Sequence, residues 1–152
     1  MRFGLGFDLH KFEDGLKLIL AGVEIEYTKG LLGNSDADIA IHAVCDAILG
    51  ALSKGDIGDY FPDDDTSKGL KSRDIAKKTM QIMLKENKKI TNIDLTLIMD
   101  KPRLINYKPE IRQGLATIFS LDLTQVNVKI KSQEGVWNSQ EFAIAMAVCG
   151  VK

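Results

Sequence analysis

From about Asp36 to Leu52 the chain reads as a helix that is apolar nearly all round: Ile39, Ala40, Ile41, Ala43, Val44, Ala47, Ile48 and Leu49 leave it almost no solvent face. A helix of that kind is normally buried, so the rest of the chain has to wrap it. Its few polar residues, Asp38, His42 and Asp46, recur at i, i+4 and i+8 and form one narrow stripe. Unpaired polar groups are costly to bury, so that stripe needs partners. Ser35 is the expected N-cap, with Asp38 three residues on as in a capping box.

Around this helix the pattern supplies strands. Arg2 to Leu9 reads as a glycine-rich strand, with Lys17–Ala21 and Val23–Tyr27 as short ones and Gly30 to Asn34 as a glycine-bearing connection. Gly55 to Lys71, dense in glycine, proline and aspartate, is a loop. Ser72 caps a second helix that turns Ile75, Met80, Met83 and Leu84 inward, and Pro109 opens a third through Ile111, Leu115, Ile118 and Phe119. Ile93, Leu95, Leu97 and Met99 alternate with polar positions, as do Val126, Val128 and Ile130, and Phe142 to Val148 is a last apolar strand. The expectation is an α+β fold, a single domain over residues 1–152 with helices layered on one face of a mainly antiparallel sheet.

The 152 residues are 45% hydrophobic and 27% charged, which excludes a disordered chain. A net charge of -1 provides no basic field for nucleic acid. No apolar run is long enough to span a bilayer, so no membrane partner is expected. Cys45 and Cys149 sit among apolar neighbours without a C-x-x-C pattern, which suits free thiols in a reducing, cytoplasmic setting.

The two histidines carry the chemistry. His10 follows Asp8 at i+2, and in an extended segment those side chains share a face. With His42 they make a three-ligand set with one open position, the usual arrangement for catalytic zinc. A second reading has His10 at a strand end and His42 as a hydrogen-bonded core residue. The loop Asp56-Ile57-Gly58 and Phe61-Pro62-Asp63-Asp64-Asp65 reads either as a cation or hydroxyl site or as a solvated acidic loop. Lys129 and Lys131 share the non-core face of their strand, with Ser132, Gln133 and Glu134 at its end: a phosphate and cation site, or a solvated edge. Met99-Asp100-Lys101-Pro102-Arg103-Leu104-Ile105 wraps a base and offers Arg103 to phosphate, or is a plain strand-to-helix loop.

In order along the chain, Gly4-Leu5-Gly6-Phe7-Asp8-Leu9-His10, Gly22-Val23, Lys29-Gly30-Leu31-Leu32, Ser35-Asp36-Ala37-Asp38 with His42 and Asp46, Gly55-Asp56-Ile57-Gly58, Phe61-Pro62-Asp63, Ser72-Arg73, Lys101-Pro102-Arg103 and Val126-Asn127-Val128-Lys129 stand together. This combination resembles the 2-C-methyl-D-erythritol 2,4-cyclodiphosphate synthase family of the non-mevalonate isoprenoid pathway. The resemblance implies a homotrimer with active sites between subunits, one Zn²⁺ per subunit on Asp8, His10 and His42, and Mg²⁺ or Mn²⁺ on Glu134. It implies a small-molecule cytidine diphosphate substrate, 4-diphosphocytidyl-2-C-methyl-D-erythritol 2-phosphate, whose 2-phosphate oxygen attacks the β-phosphorus and expels CMP. Asn34 and Ser132 are the implied catalytic residues. Asp8, Leu9, His10 and Ser35, the 56–58 and 61–65 segments, Met99 to Ile105 and Lys131 to Glu134 are the implied substrate contacts.

Two departures stand out. Asn34 occupies the position of a family histidine; it can donate a hydrogen bond but carries no positive charge. After Ser132-Gln133-Glu134 the chain reads Gly135-Val136-Trp137-Asn138-Ser139-Gln140-Glu141, without the family's Gly-Arg-x-Glu-Gly segment. A non-catalytic zinc-binding relative that senses a nucleotide or isoprenoid diphosphate, and a metal-dependent phosphohydrolase, are the competing functions. Asp46 is expected to orient His42.

Overall fold

The computed structural model describes residues 1–62, 69–136 and 141–152. The expected loop residues Asp63, Asp64 and Asp65, and Trp137, lie outside them.

The elements in chain order are β1 (Arg2–Asp14), β2 (Leu18–Leu20), β3 (Val23–Ile25), β4 (Lys29–Leu31), α1 (Ile39–Leu52), α2 (Ser72–Lys85), β5 (Ile90–Ile98), α3 (Lys108–Ile118), β6 (Val126–Lys131) and β7 (Phe142–Val151). Five strands form a sheet in the order β4-β1-β7-β5-β6, and β2 and β3 form a separate hairpin. The sheet is mixed. β1 pairs antiparallel with β4 and β7, and β5 with β7, but β5 and β6 run parallel. Their connection runs through α3, the kind of long crossover that parallel neighbours require and a hairpin cannot provide.

Glycine decides where α1 lies. Along β1, Gly4, Gly6, Asp8, His10 and Phe12 alternate inward. A Cβ on Gly4 would sit 1.9 Å from the Ala47 carbonyl oxygen, and one on Gly6 1.8 Å from that of Ala43. The helix backbone therefore rests directly on the strand, in space that no other residue type leaves open. On β7 the partners of Gly4, Gly6, Asp8 and His10 are Cys149, Ala147, Ala145 and Ala143, all small, so the sheet floor under α1 stays flat.

The same alternation sends Phe3, Leu5, Phe7 and Leu9 to the opposite face, where they are 64%, 62%, 52% and 51% exposed. Met146 and Val148 on β7 extend this apolar strip, while Asp94, Asn127 and Lys129 make the β5–β6 half polar.

Two expectations about helix ends need correction. α1 begins at Ile39, and its N-cap is Asp38, which accepts from the Ile41 N–H; Ser35 does not cap it. Ala37, at φ 51, breaks the helical path. Likewise α2 starts at Ser72 itself, with Lys71 at the cap position and no side-chain cap. Of its expected inward residues Ile75 and Met83 are buried, whereas Leu84 is 62% exposed. Thr79 takes an inward position that its polarity concealed. Among the described residues no helix is long and apolar enough to cross a membrane.

Candidate metal centre and substrate pocket

The glycines that bring α1 onto β1 also bring His42 over Asp8 and His10. The three offer one carboxylate oxygen and two imidazole nitrogens, all within 4.8 Å of one another. Asp8 Oδ2 lies 2.9 Å from His42 Nδ1 and 3.3 Å from His10 Nε2, and the two rings stand 6.0 Å apart. Among the described residues this is the one such group with metal-binding potential.

The remaining ring nitrogens are occupied. His10 Nδ1 donates to the Leu32 carbonyl, and Gly33 packs so close that a Cβ there would meet the imidazole Cε1 at 2.9 Å. His42 Nε2 lies 2.9 Å from Ser72 Oγ and 3.4 Å from Ser35 Oγ. Ser72 gives its hydroxyl proton to Asp36, whose Oδ1 also accepts the Ser72 backbone N–H at 3.1 Å. Each imidazole therefore turns one nitrogen toward Asp8 while its other is held from behind, the arrangement found around bound metals. With neutral rings, lone pairs would converge on a carboxylate, so a cation between them is what this donor set fits.

The charges agree. Burial pushes the Asp8 carboxyl up, but hydrogen bonds from His10 and His42 together with their charge outweigh it and hold it at about 2. His10 is raised, first by its bond to Asp8.

The other members of the α1 stripe are structural. Asp38, fully buried, accepts from Ala21 N at 2.8 Å and Gly22 N at 2.7 Å. Those two residues form the β2–β3 turn at φ 53 and 73, the left-handed pair that a tight hairpin demands. Burial raises the Asp38 carboxyl to about 6, against the pull of these N–H groups. Asp46 does not orient His42: its Oδ1 accepts the Ile57 N–H at 2.8 Å and pins the acidic loop to α1. Ser72 and Asp36 stand behind His42 instead. By sequence alone both positions read as helix starts, which hides this role.

The three candidate ligands line a cavity of about 410 Å³ together with Leu32, Gly33, Asn34, Ser35, Ile57, Phe61, Pro62, Leu70 and Ile75. Eight expected site residues thus meet there. Asp56 and Gly58 stand beside it: Asp56 caps the short 3-10 turn Ile57–Asp59 through a reciprocal bond with Asp59. Leu9 does not join them, because the strand alternation turns it to the opposite face.

The remaining expected residues gather elsewhere. Met99, Asp100, Pro102, Arg103, Leu104, Ile105, Lys131 and Ser132 line a second cavity of about 340 Å³ with Ile130. Lys101 is exposed at its edge. Asp100 closes the cavity by accepting the Gln133 N–H at 2.7 Å, while the buried Gln133 side chain turns inward to the Phe142 carbonyl. Ser132 donates to the Glu134 carboxylate. Lys129 is engaged by Asp94 at 2.8 Å.

The model of the YgbB family matches residues 1–152, the whole chain. The chain belongs to the YgbB family. Among its relatives is the 2-C-methyl-D-erythritol 2,4-cyclodiphosphate synthase of Brachyspira hyodysenteriae, 48% identical over 135 residues, 88% of this chain and 85% of that one. A Clostridium perfringens protein of the same name is 44% identical over 152 residues, 98% of this chain and 97% of its own. Among solved structures, a 2C-methyl-D-erythritol-2,4-cyclodiphosphate synthase bound to CDP superimposes with a TM-score of 0.92 at 32% identity, over 99% of this chain and 100% of that one. The mixed sheet and three helices described above are therefore the YgbB-family fold.

Proposed function

We propose that this YgbB-family chain is a 2-C-methyl-D-erythritol 2,4-cyclodiphosphate synthase, converting 4-diphosphocytidyl-2-C-methyl-D-erythritol 2-phosphate to the 2,4-cyclodiphosphate and CMP as a phosphorus–oxygen lyase. The observation that carries this reading is the convergence of Asp8, His10 and His42 at the wall of a cavity that Asn34, Ser35, Phe61 and Pro62 also line. Relatives of the same name at 44–48% identity over most of the chain support it.

The three convergent ligands would hold Zn²⁺, which when bound supplies a Lewis acid for a phosphate oxygen. The residues of the chain account for the rest. Asn34 and Ser35 offer an amide and a hydroxyl at the cavity wall, donors for a phosphate oxygen that gains charge as the ring closes. Phe61, Pro62, Ile57 and Leu70 give the cavity an apolar side against which bound substrate would displace water, favouring the internal phosphate oxygen over solvent as the nucleophile. A phosphate nucleophile is already ionised near neutral pH, so the site requires no strong protein base, and positioning carries the rate. The cavity beneath Met99 to Ile105 suits the cytidine, with Arg103 and Lys131 at hand for its phosphates. Glu134, exposed beside Ser132, would hold Mg²⁺ or Mn²⁺ together with the diphosphate.

A homotrimer joins the two cavities between neighbouring subunits. The strip of Phe3, Leu5, Phe7, Leu9, Met146 and Val148 supports that assembly, since a contiguous apolar face on a soluble chain marks a contact surface. Cys45 and Cys149, both buried and unpaired, suit a reducing cytoplasm. CMP release and cyclodiphosphate formation, followed by ³¹P NMR on the diphosphocytidyl substrate, test the reading. Hydrolysis to an open-chain diphosphate, or no turnover by zinc-loaded protein, would sink it.

A further inference from the structure

Of the three candidate zinc ligands, the two histidines are held from behind in different ways. His10 uses a single backbone carbonyl, that of Leu32. His42 uses a side-chain relay that reaches another helix: Nε2 to Ser72 Oγ at 2.9 Å, then the Ser72 hydroxyl to Asp36. Ser72 is fully buried as the first residue of α2, and Asp36 grips its backbone N–H as well.

The direction of this relay is forced. A carboxylate accepts and does not donate. Asp36 takes the one hydroxyl proton of Ser72, which leaves Ser72 only lone pairs to meet His42. A neutral His42 must then donate from Nε2 and keep Nδ1 as a lone pair, aimed at Asp8 Oδ2 2.9 Å away. The alternative tautomer has a competing attraction, because a proton on Nδ1 would make a good hydrogen bond to that same oxygen and close the site to a cation. Asp8 draws the ring toward the closed tautomer, and Ser72 with Asp36 draws it toward the open one.

We propose that Ser72 and Asp36 are positioning residues that set the tautomer and ring plane of His42, so that the docking of α2 governs how ready the site is for metal. This rests on the zinc reading above. The coupling has a second strand: Gly69, just before α2, donates its N–H to the Asn34 carbonyl at 3.0 Å, tying the approach to α2 to the cavity wall.

The test uses full-length chain with ¹⁵N-labelled histidine, whose two residues make assignment direct. Two-bond nitrogen–proton correlation spectra of the zinc-loaded protein should show opposite tautomers: His10 protonated on Nδ1, His42 on Nε2. Ser72→Ala should lower zinc affinity roughly 10–100-fold in chelator competition and, without zinc, move the His42 proton toward Nδ1. Asp36→Asn, which keeps an acceptor oxygen and removes the charge, should fall between. Wild-type protein that takes up no zinc overturns the metal reading and this proposal with it. Zinc uptake with His42 bound through Nε2 overturns the proposal alone and needs no variant. So does a Ser72→Ala protein with unchanged affinity and tautomers.

Discussion

Gly6→Ala tests the central geometric claim, that the absence of a side chain on β1 sets the height of α1 and with it the metal centre. The new Cβ would lie 1.8 Å from the Ala43 carbonyl oxygen and 2.7 Å from the Ala47 nitrogen, both backbone atoms with no rotamer to yield. Non-bonded contacts settle near roughly 3.5 Å, so helix and strand must part by about 1.5 Å or bend locally. Overpacking of this kind costs about 1–3 kcal/mol. For a chain of 152 residues that is a loss of roughly 2–12 °C in thermal midpoint, at about 2–4 °C per kcal/mol. The functional effect should exceed the loss of stability. Asp8 and His10 ride on β1 and His42 on α1, whereas metal sites hold their distances to about 0.2 Å. Zinc affinity should fall beyond the roughly 10–100-fold expected from losing a supporting hydrogen bond. Gly50→Ala is the internal control. It lies on the same helix, yet its Cβ would meet nothing closer than the Leu5 carbonyl oxygen at 3.9 Å. There, alanine's helix preference should add about 0.5–1 kcal/mol. Melts and chelator competition on the same samples, at one protein concentration, read both effects. A Gly6→Ala protein with unchanged midpoint and unchanged zinc affinity would refute the reasoning.

Stability without metal should depend on pH through the Asp8–His10 pair. His10, raised first by its bond to Asp8, contributes stability present below pH 6.5 and lost as pH rises through its folded value; Asp8, held at about 2, contributes stability present above pH 3.8 and lost toward pH 2. Zinc requires unprotonated imidazoles, so the gain in midpoint on adding zinc should widen from about pH 6 to about pH 8; a constant gain contradicts this. Asp46→Ala should leave zinc affinity unchanged and raise KM, because it frees the Ile57 N–H and loosens the loop beside the cavity; a weakened zinc site would restore Asp46 as the partner of His42. Asn34→Ala should slow CMP release by no more than about 10²–10³-fold, the worth of one donor, and Asn34→His should raise it modestly; a normal rate with a lowered midpoint would remove Asn34 from the catalytic set. Leu5→Glu should shift sedimentation toward monomer and abolish turnover while the fold, by circular dichroism, is kept; an unchanged assembly would show that this apolar strip is not the contact between copies.

Local pattern carried much of this protein. The all-round apolarity of residues 39–49 required a buried helix, and α1 is the buried centre of the fold. The two-residue period of a strand put Asp8 and His10 on one face, and they face His42 together. That period also places the Leu9 side chain opposite them, on the exposed face. What local pattern could not assign was partnership between segments far apart in sequence. Asp46 looked like the support of His42 because it stands one turn along; it instead takes the N–H of Ile57. The support, Ser72, is 30 positions away at a position that reads locally as a helix cap, and Asp36, which reads locally as the start of α1, grips Ser72 instead. The parallel pairing of β5 with β6 follows from the α3 crossover, not from either strand's composition. Periodicity records which way a side chain faces, because backbone geometry repeats locally. The group it meets there is decided when the chain packs, by which helix a glycine admits and which buried donor still lacks an acceptor.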